Sequence, residues 1–555
     1  MRTLTLLLAL ASVSAVAAPE TDALQQAQAD IAAKHYQDAL PLLDGLLKAN
    51  PKDGHALMSL GAARQGLGQT DAAASAYEQA YALPPAAAPA ATALFLLYAE
   101  AKRADDASKW FEVMRKGHMG DLSGLAEDPR VQALHGDKRF AILFPDRIKF
   151  EPPFVQDVRI IHEWHAEAAG DEFGWIARGV GDVDGDGVTD VVVSATGNPP
   201  YGSTEGKLYL YSGKSGKLLW KVTGTKGALL GTGLEAAGDV DGDGVPDVVA
   251  GAPGEDAVYV YSGKDGKRLW RFAGDSLDHD LGTGVTGVGD LNHDGVPEIV
   301  AGAPSSETHA KGTATGRAYV LSGKDGKVLL TLDGEKAGDS FGSTVGSSGA
   351  GGNYFIVGAG AGGPQQHGRI YVYDSLQQKP KFVEDADATG AALGYMFVSV
   401  PGDMDKDGVP DIYATDFSNS AKGRSTGRVY IYSGKTGKLI RTLTGDGPAG
   451  GFGIGAARTG DVDHDGYPDL VIGSWQYSAA AWSGGRVQVF SGKDGHVIED
   501  IVGKVPGETF GFDAVGVGDV DGDGVTDYLV TSAWSGVNGL RSGRTFIVSG
   551  AVPKR

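Results

Sequence analysis

A nine-residue acidic stretch returns six times in this chain of 555 residues, and no other feature limits its fold as tightly. It first reads Asp182-Val183-Asp184-Gly185-Asp186-Gly187-Val188-Thr189-Asp190, then starts again at Asp239, Asp290, Asp403, Asp461 and Asp519. The starts lie 57, 51, 113, 58 and 58 residues apart. The interval of 113 is two periods, so a seventh unit occupies the gap. There Phe341-Gly342 and Phe355-Ile356-Val357-Gly358-Ala359 match the neighbouring units, while Ser347 to Asn353 replaces the acidic loop with glycine and serine. Self-similarity at such a period marks a repeat architecture, in which each unit buries its apolar faces on its neighbours.

Every unit has the same parts in the same order. A Phe-Gly or Leu-Gly pair leads, at Phe173, Leu230, Leu281, Phe341, Leu393, Phe452 and Phe510. The acidic loop follows, then a strand such as Asp247-Val248-Val249-Ala250 ending in Gly251-Ala252-Pro253, then Val258-Tyr259-Val260-Tyr261 and Arg268-Leu269-Trp270-Arg271. Four strands per unit at this period predict an all-β, seven-bladed propeller with four-stranded blades over residues 154–555. The last unit stops after its third strand, Thr545-Phe546-Ile547-Val548. Val158 to Trp164, ahead of the first Phe-Gly pair, is therefore expected to supply the fourth strand and close the ring.

The loop spacing carries the chemistry. Aspartates at positions 1, 3 and 5 turn carboxylates inward, the backbone carbonyl at position 7 joins them, and a carboxylate at position 9 can bind through both oxygens. Six or seven oxygens suit Ca²⁺ better than Mg²⁺, which is smaller and keeps its waters. The expected ligands are Asp182, Asp184, Asp186, Val188 and Asp190 in the first loop, and Asp239, Asp241, Asp243, Val245 and Asp247 in the second. The third offers Asp290, Asn292, Asp294, Val296 and Glu298; Asn292 is neutral, which makes this the weakest expected site. Asp403, Asp405, Asp407, Val409 and Asp411 serve the fifth unit, and Asp461, Asp463, Asp465, Tyr467 and Asp469 the sixth. The last set is Asp519, Asp521, Asp523, Val525 and Asp527; the fourth unit has none. Position 6 is always glycine, as a sharp turn with positive φ requires. Flanking strands and the end of the series at position 9 separate this loop from an EF-hand.

Charge and composition narrow the function. The net charge is −21, and the six loops hold 23 acidic side chains, so the acidity says little about an outside partner and argues against nucleic acid. With no cysteine, disulfide scaffolds, thiol nucleophiles and thiolate metal sites are excluded. Arg2, an apolar run from Leu4 to Val13, and Ala15-Val16-Ala17 read as an export signal over residues 1–18, placing the mature protein in a periplasmic or extracellular compartment. No other run approaches the length of a transmembrane helix.

Residues 19–118 are rich in alanine and leucine and carry helical spacing. Ala39, Ala73 and Ala107 lie 34 residues apart, as do Leu43, Tyr77 and Phe111, and Pro51 repeats at Pro85. With Leu57, Gly61 and Ala80, this resembles the tetratricopeptide repeat, which implies a small all-α domain of stacked helix pairs with a groove for a peptide partner. The third unit is expected to be the weakest, because a proline–alanine run from Ala86 to Ala90 stands where its first helix starts. Residues 119–153, ending in Glu151-Pro152-Pro153, are expected to form a terminal helix or two and a linker.

The strand-rich region resembles the FG-GAP repeats of the integrin α-chain head, in its Phe-Gly pairs, its Gly-Ala-Pro segments and its calcium loops. The resemblance implies a binding platform on the face opposite the acidic loops. There the connections between second and third strands bring Tyr201, Trp475, Tyr477, Trp482, Trp534 and Arg541 from blades 1, 6 and 7. Exposed aromatics beside an arginine suit a protein ligand, and flat indoles also stack on sugars. The expectation is an exported, non-enzymatic adhesion or scaffold protein with structural calcium. The alternative is a calcium-dependent polysaccharide-acting enzyme such as a lyase. His162-Glu163-Trp164-His165 is one residue short of a zinc-protease motif and sits on an expected strand, so it reads as structural. Lys264-Asp265-Gly266-Lys267 and its relatives, which follow a Ser-Gly pair, read as hairpin turns repeated for structural reasons.

Overall fold

The computed structural model describes residues 19–83, 86–117, 119, 125, 128–145, 150–197, 202–307, 313–455 and 459–550. The expected leader (residues 1–18), Pro85 of the helical repeat and Tyr201 of the ligand face lie outside the described residues. Two compact units divide near residue 147.

The first unit is helical: Pro19–Ala32, Tyr36–Ala49, Gly54–Gly66, Thr70–Tyr81, Ala87–Glu100 and Ala104–Lys116 pack as consecutive pairs. Ala39, Ala73 and Ala107 are fully buried where helices meet. Gly61 lies under the Tyr77 ring, where a Cβ would come within 2.4 Å of it. The third pair forms despite the proline–alanine run. Pro89 sits in the first turn of its helix, where the backbone N–H has no intrahelical partner to lose. After the last helix the described residues include two 3-10 helices, Gln132–Leu134 and Lys138–Leu143. They lay Phe140 against Phe95 and Phe111 at 6.1 and 5.3 Å.

The second unit is a seven-bladed β-propeller of four-stranded antiparallel blades. Blade 1 runs Phe173–Gly181, Asp190–Ala195, Lys207–Tyr211 and Leu218–Thr223, and the later blades repeat this order. The second strands are continuous apolar runs because both their faces are covered. In blade 1, Val191 and Val193 point into the layer shared with blade 7, and Val192 into the layer shared with blade 2. The core is accordingly seven separate inter-blade layers.

Ring closure follows the sequence reading. Strand Ile160–His165 pairs antiparallel with Arg544–Val548 and completes blade 7, with Trp164 opposite Thr545. The segment before it also pairs with blade 6 through Val155 N to Val502 O at 2.8 Å, and Phe154 packs on Phe510 at 4.6 Å.

The motif glycines are where neighbouring blades touch. A Cβ on Gly251, at the end of a second strand, would lie 1.8 Å from the carbonyl of Gly282 in the Leu-Gly pair of the next blade. Six blades also begin their third strand with a cation: Lys207, Arg317, Arg369, Arg428, Arg486 and Arg544. Each pairs with an acid on the segment that enters its own blade, as in Arg428–Asp387 at 2.6 Å and Arg486–Asp446 at 2.8 Å. Blade 2 has Ala257 at this place.

Candidate calcium loops and binding face

Each acidic loop joins the inner strand of its blade to the second strand. In the first loop the Asp182 carboxylate accepts from the N–H groups of Gly185, Asp186 and Gly187 at 2.8, 3.0 and 2.9 Å, curling the backbone around itself. Asp184 and Asp186 each accept from the residue two further on. Asp190 Oδ2 accepts from Val183 N at 2.7 Å, which draws the end of the loop back onto its start. The same bonds recur in the second, fifth, sixth and seventh blades, as in Gly524 N to Asp519 Oδ2 at 2.8 Å. The glycine at position 6 has positive φ in all six loops, between 86° and 89°. Position 4 also takes the left-handed conformation, and there His293, Lys406 and His464 adopt it without being glycine.

The result is a convergence of carboxylates. Asp182, Asp184 and Asp190 bring oxygens within 4.8 Å of one another, as do Asp239, Asp241 and Asp247, and Asp403, Asp405 and Asp411. Asp290, Asp294 and Glu298 do so in the third loop, and Asp461, Asp463 and Asp465 in the sixth. Burial pushes the carboxyls of Asp247, Asp411 and Asp527 up to about 6, with the backbone N–H bonds opposing it. It pushes Glu298 up to about 7. Only the position-9 carboxylate of each loop is buried; the others are exposed or half-buried, and like charges held this close repel unless a cation joins them. Glu298 Oε1 is buried without a hydrogen-bond partner, so a ligand oxygen stands ready. An all-oxygen set of this kind could hold a calcium ion, which would cross-link the two ends of each loop.

The Ser-Gly-Lys turns, read from sequence as plain hairpins, are part of these loops. Gly213 N donates to Asp190 Oδ1 at 2.9 Å, and its counterparts Gly263, Gly434 and Gly492 donate to Asp247, Asp411 and Asp469 at 2.9–3.0 Å. A Cβ on Gly263 would lie 1.8 Å from the Pro246 carbonyl, so only glycine brings the turn this close. The preceding blade grips the same turn from outside: Trp164, Trp220 and Trp270 donate their indole N–H to the carbonyls of Gly216, Gly263 and Gly323 at 2.9, 2.5 and 2.6 Å. The co-repetition of Ser-Gly-Lys with the acidic loop was the signal in the sequence.

The fourth blade solves the same problem without carboxylates. Its glycine–serine turn docks on blade 3, with Gly289 N donating to Gly352 O at 2.8 Å and Ser347 Oγ to Gly287 O at 2.5 Å.

The Phe-Gly pairs and the ends of the second strands lie at the opposite end of the blades from the acidic loops, as the antiparallel register of Phe173 with Ala195 requires. There Trp475 and Trp534, from blades 6 and 7, pack edge to face at 4.6 Å. Phe512 lies 5.6 Å from Trp534 and 5.2 Å from Trp175 of blade 1, and the Arg541 guanidinium sits 4.2 Å over Trp534. The expected platform is corrected in two respects. Trp482 is only 5% exposed, and Tyr477 lies under Arg486 of its own blade at 4.6 Å. Trp175 and Phe512, themselves only 9% and 5% exposed, form the buried part on which the half-buried Trp475 and Trp534 pack; the signal for both was their place directly after a Phe-Gly pair. The equivalent residues in blades 2, 3 and 4 are Thr232, Thr283 and Ser343. These line the central channel, which encloses a cavity of about 140 Å³ beside Arg178 and Glu235.

A family model for the FG-GAP-like repeat matches residues 182–250, 239–301 and 403–472, and a second, for the FG-GAP repeat, matches 282–321. The matched stretches lie in blades 1, 2, 3, 5 and 6, which are similar to FG-GAP repeats. The chain is 28% identical to integrin alpha-5 of Xenopus laevis over 211 residues, which are 34% of this chain and 19% of that one. Against integrin alpha-4 of the same species the figures are 28% over 252 residues, 42% of this chain and 23% of the relative. Integrin alpha-2 of Mus musculus is 31% identical over 191 residues, 31% of this chain and 16% of the relative. The FG-GAP region thus spans about a fifth of the length of the integrin α chains it matches.

Proposed function

We propose that this chain is an exported, calcium-carrying binding protein with an adhesion or scaffold role. Its FG-GAP propeller engages a protein or glycan ligand at the end of the ring that carries the Phe-Gly pairs. The observation that supports this most directly is the cluster of Trp175, Trp475, Phe512 and Trp534, assembled from three neighbouring blades and flanked by Arg541. Calcium in the six acidic loops is structural in this reading: it fixes one end of the blades, in a protein without disulfides, while the other end binds. The helical unit, with its 34-residue spacing, is a tetratricopeptide-like arm that offers a groove to a peptide partner.

The test is a glycan array and a partner-crosslinking screen on the full chain in calcium, beside a Trp475→Ala, Trp534→Ala double variant. Binding that the double variant loses supports the aromatic end as the site. Ligand binding that survives in the folded double variant moves the site elsewhere.

A further inference from the structure

The acidic loops do not stand alone electrostatically. In blade 2, Lys264 Nζ of the Ser-Gly-Lys turn lies 3.3 Å from Asp243 Oδ2, the carboxylate at position 5. In blade 6, Lys493 Nζ is 3.7 Å from the matching oxygen of Asp465. In blades 1 and 5, Lys214 and Lys435 donate to the carbonyls of the same position, Asp186 O at 3.0 Å and Asp407 O at 3.1 Å. The seventh blade has Ser549-Gly550-Ala551 in this place, with alanine where the other blades with an acidic loop have the lysine. There Arg159, on the segment that closes the ring, pairs with Asp521 and reaches Asp523 Oδ2 at 3.5 Å.

The two exceptions follow the charge. The third loop has three carboxylates, not four, because Asn292 stands at position 3. Its Ser-Gly-Lys lysine, Lys324, makes no ion pair with the loop among the described residues, whereas its counterparts in blades 2 and 6 do. The fourth blade has no acidic loop, and Asp374-Ser375-Leu376 stands where the other blades have Ser-Gly-Lys. At least one cation therefore accompanies each loop of four carboxylates and none engages the loop of three: the loops of blades 1, 2, 6 and 7 then carry −3 like the third, and that of blade 5, which also holds Lys406 at position 4, carries −2.

We propose that Lys214, Lys264, Lys435, Lys493 and Arg159 are built-in counter-cations that set the calcium affinity of their loops. Each lowers the charge of its loop by one and holds position 5, so a divalent ion meets a weaker field than four carboxylates would create. The loops of blades 1, 2, 6 and 7 are thereby brought to the charge of the third, which removes the deficit that would make the third loop the weakest. This inference rests on the reading of the loops as calcium sites.

The test is a Ca²⁺ titration of the full chain by calorimetry at low salt, with melting curves in calcium and in chelator. The variants are Lys264→Met, the fourfold Lys214→Met, Lys264→Met, Lys435→Met, Lys493→Met, and Lys324→Met as the control. Removing a unit positive charge beside a site strengthens divalent binding by about tenfold. The fourfold variant is expected to shift the midpoint by that factor, to lose most of the shift in 0.5 M salt (about a 4 Å screening length), and to melt lower than wild type in chelator. Lys264→Met keeps the test decisive if the fourfold variant does not fold. Lys324→Met is expected to titrate as wild type. Unchanged or weaker binding in Lys264→Met, with wild type still taking up calcium, overturns the counter-cation proposal alone. A wild type that binds no calcium overturns the calcium reading and this proposal together.

Discussion

Arg178 of blade 1 meets Asp513 of blade 7 at 2.5 Å, and both side chains are buried at the seam where the ring closes. The same guanidinium turns its Nε to Glu235 of blade 2 at 2.9 Å, so one side chain ties three blades together beside the channel. Removing one partner of such a pair leaves an uncompensated buried charge. Arg178→Met is expected to cost about 3–5 kcal/mol in chemical denaturation. Arg178→Met combined with Asp513→Asn should recover much of that loss. A single variant as stable as wild type would show that the seam does not depend on the pair.

Ring closure gives a second expectation. Trp164, on the closing strand, stacks on Tyr211 of blade 1 at 4.7 Å, and its neighbour Glu163 pairs with Arg544 at 2.9 Å. Deleting residues 155–165 exposes the edge of Arg544–Val548 and opens the layer between blades 7 and 1. The shortened chain should aggregate on size-exclusion chromatography, or melt well below wild type. An unchanged melting curve and elution volume would contradict this closure.

Much of this was legible in the sequence because it is repeated. The blade count, the glycine at position 6 and the closing strand all follow from comparing one unit with the next, and the structure agrees with each. Arg178–Asp513 was not legible, since it occurs once and joins residues more than 330 apart. The aromatic end was half legible. Trp475 and Trp534 stand out in their loops, but that Trp482 turns inward and Trp175 joins from blade 1 depends on packing between blades. The cations at the head of six third strands recur as Gly-Arg or Gly-Lys, and only their spatial partners, such as Asp387 for Arg428, give them meaning.

Asp416 supplies a pH dependence. It is fully buried at the end of a second strand, and accepts from Ala391 N and Ala392 N at 2.8 and 3.2 Å. Burial raises its carboxyl from the ordinary 3.8 to about 6, against the pull of those backbone bonds. Because the folded state holds the proton more tightly than the unfolded chain, this contribution to stability is fully present below about pH 4 and is lost as pH rises through about 6. Relative to Asp416→Asn, wild type should lose about 3 kcal/mol between pH 4 and 7. Parallel stability profiles for the two proteins would show that Asp416 does not titrate in this range.

If calcium closes the acidic loops, its removal should weaken the propeller more than any single substitution. With six sites near saturation, a chelator is expected to lower the melting temperature by about 10–20 °C, and added Ca²⁺ to restore it.

The most direct test of the account is to count the ions. Equilibrium dialysis of the chelator-treated, refilled full chain should find about six Ca²⁺ per molecule, one for each loop built on the pattern of Asp182 to Asp190. An Asp239→Asn, Asp247→Asn variant should bind one fewer. A count near zero, or one that this variant does not change, would contradict the reading of these loops as calcium sites.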